Sequence, residues 1–168
     1  MKQRGFTIVE LIITITIMAI LLALGVVNLT GTQVSARDSE RKTDIENISL
    51  HLETYYTSGT DNSTVIGRYP SVDALTGLIG HETTLLRDID KNSLIAPSKT
   101  TISLVAATNS VQTTAGVTPQ PTIDQYVYQP LQSNGTLCTL ASQECRKYNL
   151  YYKLEVDSTV HLLTSKNQ

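Results

Sequence analysis

The chain has 168 residues, a length that fits one domain of ordinary size. It is 40% hydrophobic and 17% charged, with 13 basic and 15 acidic side chains and no basic block, which excludes bulk electrostatic binding to nucleic acid. Nine Gly and five Pro exclude collagen-like and Pro-rich disordered chains, and eight Tyr, one Phe and no Trp argue against a large aromatic core.

These averages hide a split. Residues 11–27 carry no charge, while the rest is polar and rich in Thr, Ser and Asn. The chain is therefore neither a uniformly soluble domain nor a polytopic membrane protein. Its first five residues, MKQRG, hold Lys2 and Arg4. An apolar run of 24 residues follows, Phe6 to Leu29, with one acid inside it, Glu10. As a helix it is long enough to cross a bilayer, and the basic residues before it favour a cytoplasmic N-terminus. Three readings compete: a secretory signal peptide with a small-residue cleavage site at Ala23-Leu24-Gly25, an uncleaved anchor, and a leader cut ahead of the apolar run.

Glu10 decides among them. A carboxylate five residues into an apolar segment costs several kcal/mol in hydrocarbon (about 2.5–3.5 on insertion scales) unless it is paired, and neither a plain anchor nor a signal peptide gains from it. Its neighbourhood is specific. Gly5-Phe6-Thr7-Ile8-Val9-Glu10, with a short basic leader before it and a long apolar helix after it, resembles the processing motif of type IV pilins and pseudopilins. The resemblance covers residues 1–30. It implies that Gly5 ends the leader recognised by a prepilin peptidase, that Phe6 becomes the N-methylated first mature residue, and that Glu10 meets a neighbouring subunit's N-terminal amine. The physical reason is general: two charges buried in apolar surroundings each pay desolvation, and pairing recovers much of it, so Glu10 acts as a registration device.

The helical pattern continues past Leu29. Residues 30–36 are polar and small, and residues 37–46 hold seven charges of both signs. Pairs such as Asp38–Lys42 and Lys42–Glu46 at i,i+4 read as a solvated helix face. Ile45, Ile48, Leu52 and Tyr55 form a stripe expected to pack on a C-terminal domain, and Thr57-Ser58-Gly59 ends the helix. His51 lies one position off the stripe and reads as a helix-surface residue. The result is a helix of roughly 50 residues, apolar in its first half and amphipathic in its second. Many type IVa pilins carry a proline where this chain has Val27; without it, Gly25, Asn28 and Gly31 are the weak points, and any bend is expected at 25–32.

Residues 57–70 read as a loop punctuated by Gly59, Gly67 and Pro70. Tyr69-Pro70 after Gly67 resembles a segment that follows the long helix in pseudopilins and pilins. Residues 71–79, capped by Ser71, and 82–91, with a Leu85, Leu86 and Ile89 stripe, read as short helices. Residues 108–122 read as an exposed loop. Strands are predicted over Ile123–Leu131, over Arg146–Val156 with Tyr148, Leu150, Tyr152, Leu154 and Val156 on one face, and over Val160–Leu163, with turns at Asn134-Gly135 and Asp157-Ser158. The expected fold is α+β and pilin-like: leader 1–5, filament-core helix 6–29, amphipathic helix 30–58, connecting region 59–122, and an antiparallel sheet over 123–168. Cys138 and Cys145 have one possible pairing, and a disulfide there would resemble the C-terminal loop of many pilins.

No GxSxG, Walker, HExxH or GxGxxG motif is present, so no catalytic residue, metal site or cofactor is expected and the chain reads as a non-enzyme. His51, His81 and His161 lie far apart in sequence. Asp88-Ile89-Asp90-Lys91-Asn92 mimics the start of an EF-hand but fails at Ser93 and Lys99. The calcium cluster of secretion pseudopilins has no acidic counterpart. Asp124 and Asp157 read as surface acids. The functional expectation is a structural pilin for adhesion, motility or DNA uptake. It would be a single-pass inner-membrane protein before assembly and an extracellular filament after it. Its partners would be membrane lipid, the peptidase/methyltransferase, an inner-membrane assembly platform, and other copies and related pilins. A type II secretion pseudopilin is the close alternative and a secreted protein with a cleaved signal the distant one. Arg146-Lys147 is too small a basic patch to claim a nucleic-acid site.

Overall fold

The computed structural model describes residues 5–59, 66–76, 85–86 and 88–167. The chain divides into two compact units, residues 1–36 and 37–168. Helix α1 spans Ile8–Ser58, 51 residues, close to the length the hydrophobic pattern predicts. In the first unit its backbone is helical through residues 25–32, where the sequence predicts a bend. α1 ends as the Thr57-Ser58-Gly59 signal requires. Gly59 takes φ 67° and donates its N–H to the Tyr55 carbonyl, satisfying an orphan acceptor of the last turn.

In the second unit, residues 37–58 of α1 pack on a four-stranded sheet. The strands are β1 (Leu104–Ala106), β2 (Tyr126–Leu131), β3 (Lys147–Lys153) and β4 (Val160–Thr164), in spatial order β1-β2-β3-β4. The three C-terminal strands match the predicted ones to within a few residues and pair antiparallel. The sheet as a whole is mixed, because β1 joins β2 in parallel, Leu104 opposite Tyr126. That is a correction to the antiparallel expectation, and it places a strand in a region read as connection. Three residues with one alternation are too short to show a period in sequence.

One face of the sheet meets α1. Ile45, Ile48 and Leu52 of the predicted stripe are buried against Tyr126, Tyr128, Tyr148 and Leu150, while Tyr55 is half-buried. The core is richer in aromatics than composition suggests. Tyr69, Tyr126, Tyr128, Tyr148 and Tyr151 are all enclosed, with Tyr69 against Tyr148 edge-on at 4.7 Å. Their rings bury apolar area while each hydroxyl finds a partner: Tyr128 donates to the Pro70 carbonyl at 2.8 Å, Tyr126 to Asp44 at 2.8 Å, Tyr69 to Glu53 at 2.9 Å.

The opposite face is covered too. Residues 108–122, expected as an exposed loop, fold back over it. Val117 packs with Ala107, Val127 and Tyr151, and Gln129 donates to the carbonyls of Asn109 and Val111. All six residues of β2 are therefore buried. Pro130 fits inside this strand because β1 pairs only with Tyr126–Tyr128. Its carbonyl accepts from the Cys138 N–H on the edge facing away from β3, past the end of β1, so its missing N–H removes no bond to either strand. Val156 departs from the predicted face and is 70% exposed, since β3 ends at Lys153 and the chain turns away.

Among the short elements, α2 (Val72–Thr76) is capped by Ser71, whose hydroxyl accepts from the Ala74 N–H. Residues 82–84 and 87 of the predicted 82–91 helix lie outside the described residues, as does His81; of its other residues only Leu85 is α-helical, which corrects the expected helix. Leu86 and Ile89 are buried, and a 3₁₀ turn forms at Lys91–Leu94 with Asp90 as its N-cap. Asp124 pairs with Lys99, and Asp157 bonds both His161 and the Thr159 N–H. Cys138 and Cys145 form a disulfide, both sulfurs buried. Its loop clamps the segment after α1: Tyr69 and Val72 donate N–H bonds to the carbonyls of Cys145 and Cys138.

The charge run corrects the sequence reading most. Residues 37–46 are a solvated face only in part: Glu40, Lys42 and Glu46 are exposed, but Asp38, Arg41 and Asp44 are buried. Arg41 pairs with Asp38 at 2.9 Å and Glu155 at 2.7 Å, and donates to the Ile123 carbonyl at 2.8 Å. Arg37 bonds both oxygens of Glu155 at 2.8 and 2.7 Å. Asp38 accepts from the backbone N–H groups of Glu155 and Val156. Lys42 forms no ion pair among the described residues, so neither i,i+4 pair is made. Arg41→Ala would leave Asp38 enclosed without its cation and strip Glu155 of one of its two. We expect it to lower unfolding stability by about 3–5 kcal/mol, measured by denaturant titration of the detergent-solubilised chain.

Two carboxyls of this face respond oppositely to pH. The bond from Arg37, reinforced by Arg41, holds Glu155 down to about 2, so its stabilisation is complete above its ordinary value and is lost as pH falls through about 2. Burial raises Asp44 from its ordinary 3.8 to about 6, against the opposing bond from Tyr126. Its contribution is therefore fully present below 3.8 and is lost as pH rises through about 6. Asp44→Asn keeps an acceptor for Tyr126. The expected gain is about 1–3 kcal/mol of unfolding stability near pH 7.5 and none near pH 3.5, checked by thermal melts at the two pH values.

Candidate functional site

The motif residues lie at the start of α1, in the first unit. Gly5 and Phe6 precede the helix and are exposed, Phe6 by 87%. Lys2 and Arg4 of the leader lie outside the described residues. The peptide between Gly5 and Phe6 is thus in non-helical backbone, two residues ahead of Ile8.

The helix starts at Ile8 for a local reason. Thr7 and Glu10 form a reciprocal capping pair. The Thr7 hydroxyl accepts from the Glu10 N–H at 3.3 Å, and Glu10 Oε2 accepts from the Thr7 N–H at 3.1 Å and its hydroxyl at 2.8 Å. Among the described residues these bonds engage Oε2 alone, and Oε1 is left open. The sequence carried the signal, since Thr-x-x-Glu ahead of an apolar run is a capping box, but the role given to Glu10 by the motif concealed it.

Beyond Glu10 the helix presents apolar side chains on every side. Residues Ile8–Gly25 have a mean hydropathy of 2.6 and none is buried, so by length and composition this segment can cross a membrane. Its two polar interruptions are internally satisfied: Thr14 donates to the carbonyls of Glu10 and Leu11, and Thr16 to those of Ile12 and Ile13. A hydroxyl bonded to its own helix exposes no unpaired donor to hydrocarbon.

Residues 1–26 match the family model of the prokaryotic N-terminal methylation motif. The chain carries a type IV prepilin-like signature. Neither a curated protein nor a solved structure matches it. The signature implies processing by a prepilin peptidase and assembly into filaments in general, and with one apolar N-terminal helix it fits a membrane-anchored precursor. The apolar helix and small mixed sheet make an α+β, pilin-like fold.

In the second unit the sequence-predicted Cys138 and Cys145 come together, whereas His51 and His161 do not. His51 is half-buried on α1, and its Nδ1 is enclosed with no hydrogen-bond partner. His161 stacks on Tyr152 and bonds Asp157 at 3.0 Å. The residues that sequence reading missed are Asp38, Arg41, Asp44 and Glu53. Glu53 accepts from Tyr69, Tyr148, the Lys166 N–H and the Asn167 amide, and so ties the C-terminal segment to α1. Apart from the Asp38–Arg41 pair three residues apart, their partners lie 16 to 118 residues away, so nothing local marks them as buried.

Removing the capping hydroxyl isolates its contribution. Thr7→Val is expected to loosen the first turn by about 0.5–2 kcal/mol, read as faster amide exchange at residues 8–11 in detergent micelles, while Thr7→Ser retains protection.

Proposed function

We propose that the chain is a structural, non-enzymatic subunit of a type IV pilus. It inserts in the inner membrane as a prepilin, is cleaved between Gly5 and Phe6 and methylated at Phe6, and polymerises through residues 6–29 into an extracellular filament. The observation that carries this reading is Glu10: an acid in the first turn of the apolar, unburied segment Ile8–Gly25, within a matched methylation motif. Thr7 occupies one of its oxygens and Oε1 remains for the N-terminal amine of a neighbouring copy. Pairing there would return much of the desolvation cost of both charges, so the helix is satisfied only beside a correctly staggered partner.

A type II secretion pseudopilin is the second reading, favoured by Tyr69-Pro70, which docks on α1 through Glu53. The closed Cys138–Cys145 loop favours the pilus. Surface fibres seen by microscopy distinguish a pilus from a short envelope-bound pseudopilus.

The test is the intact mass and N-terminal sequence of the native protein, with Glu10→Ala in parallel. A start at Phe6 carrying one methyl is expected, with Glu10→Ala retaining membrane insertion and losing filaments. A start at Val26 would make the apolar run a discarded signal and overturn the proposal.

A further inference from the structure

β4 is an outer strand of the sheet, with β3 as its one neighbour. Its phase is fixed just past its end, where Ser165 donates its N–H to the Tyr148 carbonyl at 2.9 Å. Opposed residues of an antiparallel pair alternate between bonded and unbonded. Leu163 and His161 therefore bond to Leu150 and Tyr152, while Val160, Leu162 and Thr164 turn their N–H and carbonyl groups away from β3. Among the described residues nothing bonds to these outward groups. The open stretch ends at Lys166, whose N–H is taken by Glu53.

This edge lacks the usual protection. Val160–Thr164 holds no proline and no Asp, Glu, Lys or Arg, and Leu162 is 39% exposed. The sheet's other edge strand, β1, is three residues long and offers a much shorter template. The flanks of β4 differ in sign, with Asp157 before it and Lys166 after it. A cleft of about 220 Å³ opens beside the strand, lined in part by Asn149, Leu162 and Thr164.

We propose that a second copy of this chain occupies the edge, β4 pairing antiparallel with β4 about a two-fold axis at Leu162. Leu162 and its counterpart then exchange both backbone bonds, and each Val160 does so with a Thr164, roughly six bonds in all. Opposed residues share a face of the sheet, so Val160 of one copy projects beside the cleft that Thr164 of the other lines. The antiparallel sense brings Lys166 to the end where the other copy's Asp157 stands, whereas a parallel pair would set like charges side by side. A two-fold pair uses both open edges and closes, giving a dimer with one sheet continuous through both copies and no fibre. The pairing needs neither Glu10 nor filament formation, so its failure and that of the pilin reading are separate results.

The experiment uses the detergent-solubilised full-length chain carrying Glu10→Ala, which removes the assembly role given to that residue. Sedimentation is expected to give two chains per particle. Both native cysteines are held in the disulfide, so an added one is a single reporter. Leu162→Cys should form a covalent dimer on mild oxidation, because bonded antiparallel partners stand about 5.5 Å apart between Cα atoms, within disulfide reach. Val160→Cys mixed with Thr164→Cys should give the mixed dimer, and neither should give its own. Leu50→Cys, 58% exposed on α1, should not cross-link. Thr164→Pro removes an outward N–H and no bond to β3, so the melting curve should hold while the particle falls to one chain and Leu162→Cys loses its cross-link. If Thr164→Pro melts early, Leu162→Lys, which sets like charges opposite each other, carries the same test by sedimentation. A single chain before any edge variant, cross-linking at Leu50→Cys as fast as at Leu162→Cys, dimers of Val160→Cys or Thr164→Cys alone, or a dimer that survives the edge variants would each overturn the proposal.

Discussion

Arg41 has 1% of its side chain exposed, and a guanidinium in that position cannot lose its proton to escape burial. It must be met by anions and acceptors. Asp38, Glu155 and the Ile123 carbonyl meet it, and each comes from a different part of the chain. This requirement sets the rotation of residues 37–58 on the sheet. Once Arg41 points inward, Ile45, Ile48 and Leu52 follow it on the same helix face, and Asp44, Ser49 and Glu53 fall opposite the hydroxyls of Tyr126 and Tyr148. A helix held by apolar contacts alone could slide by a turn at modest cost. A helix pegged by directional bonds cannot do so without leaving charges unpaired.

The two units solve opposite solvation problems. In residues 37–168 the polar groups are brought inside and paired, so that a tyrosine-rich core loses no hydroxyl bond. In residues 8–25 the apolar groups are left outside and the few polar ones are turned inward onto the helix. Thr7, Thr14 and Thr16 do this with side chain-to-backbone bonds of their own. Glu10 is the exception, with an open oxygen in an apolar setting, and it is where a membrane or filament environment would demand a second chain.

Covering both faces of the sheet has a further consequence. The loop over residues 108–121 hides the outer faces of β2 and β3, and Gln129, Asn149 and Tyr151 form a buried polar network beneath it. The turn around Val156, 70% exposed, is part of what remains accessible on this unit.

The N-terminal half was legible because its signals are local. Gly5-Phe6 and Glu10 sit within a few residues of one another, the apolar run is continuous, and Gly59 ends the helix by a rule that needs no tertiary contact. The apolar stripe and β3 were legible from period, and β2 and β4 from strand-forming residues and the turns beside them. The charge run misled because opposite charges three and four apart look the same on paper whether water or a distant carboxylate completes them. Only the fold brings Glu155 to Arg41, Tyr126 to Asp44, and Tyr148 and Asn167 to Glu53. The sequence by itself determined the chain's anchoring helix and processing motif, since both depend on neighbours along the backbone. The tertiary structure alone decided which charges are buried and which groups meet them, since those depend on partners as many as 118 residues away.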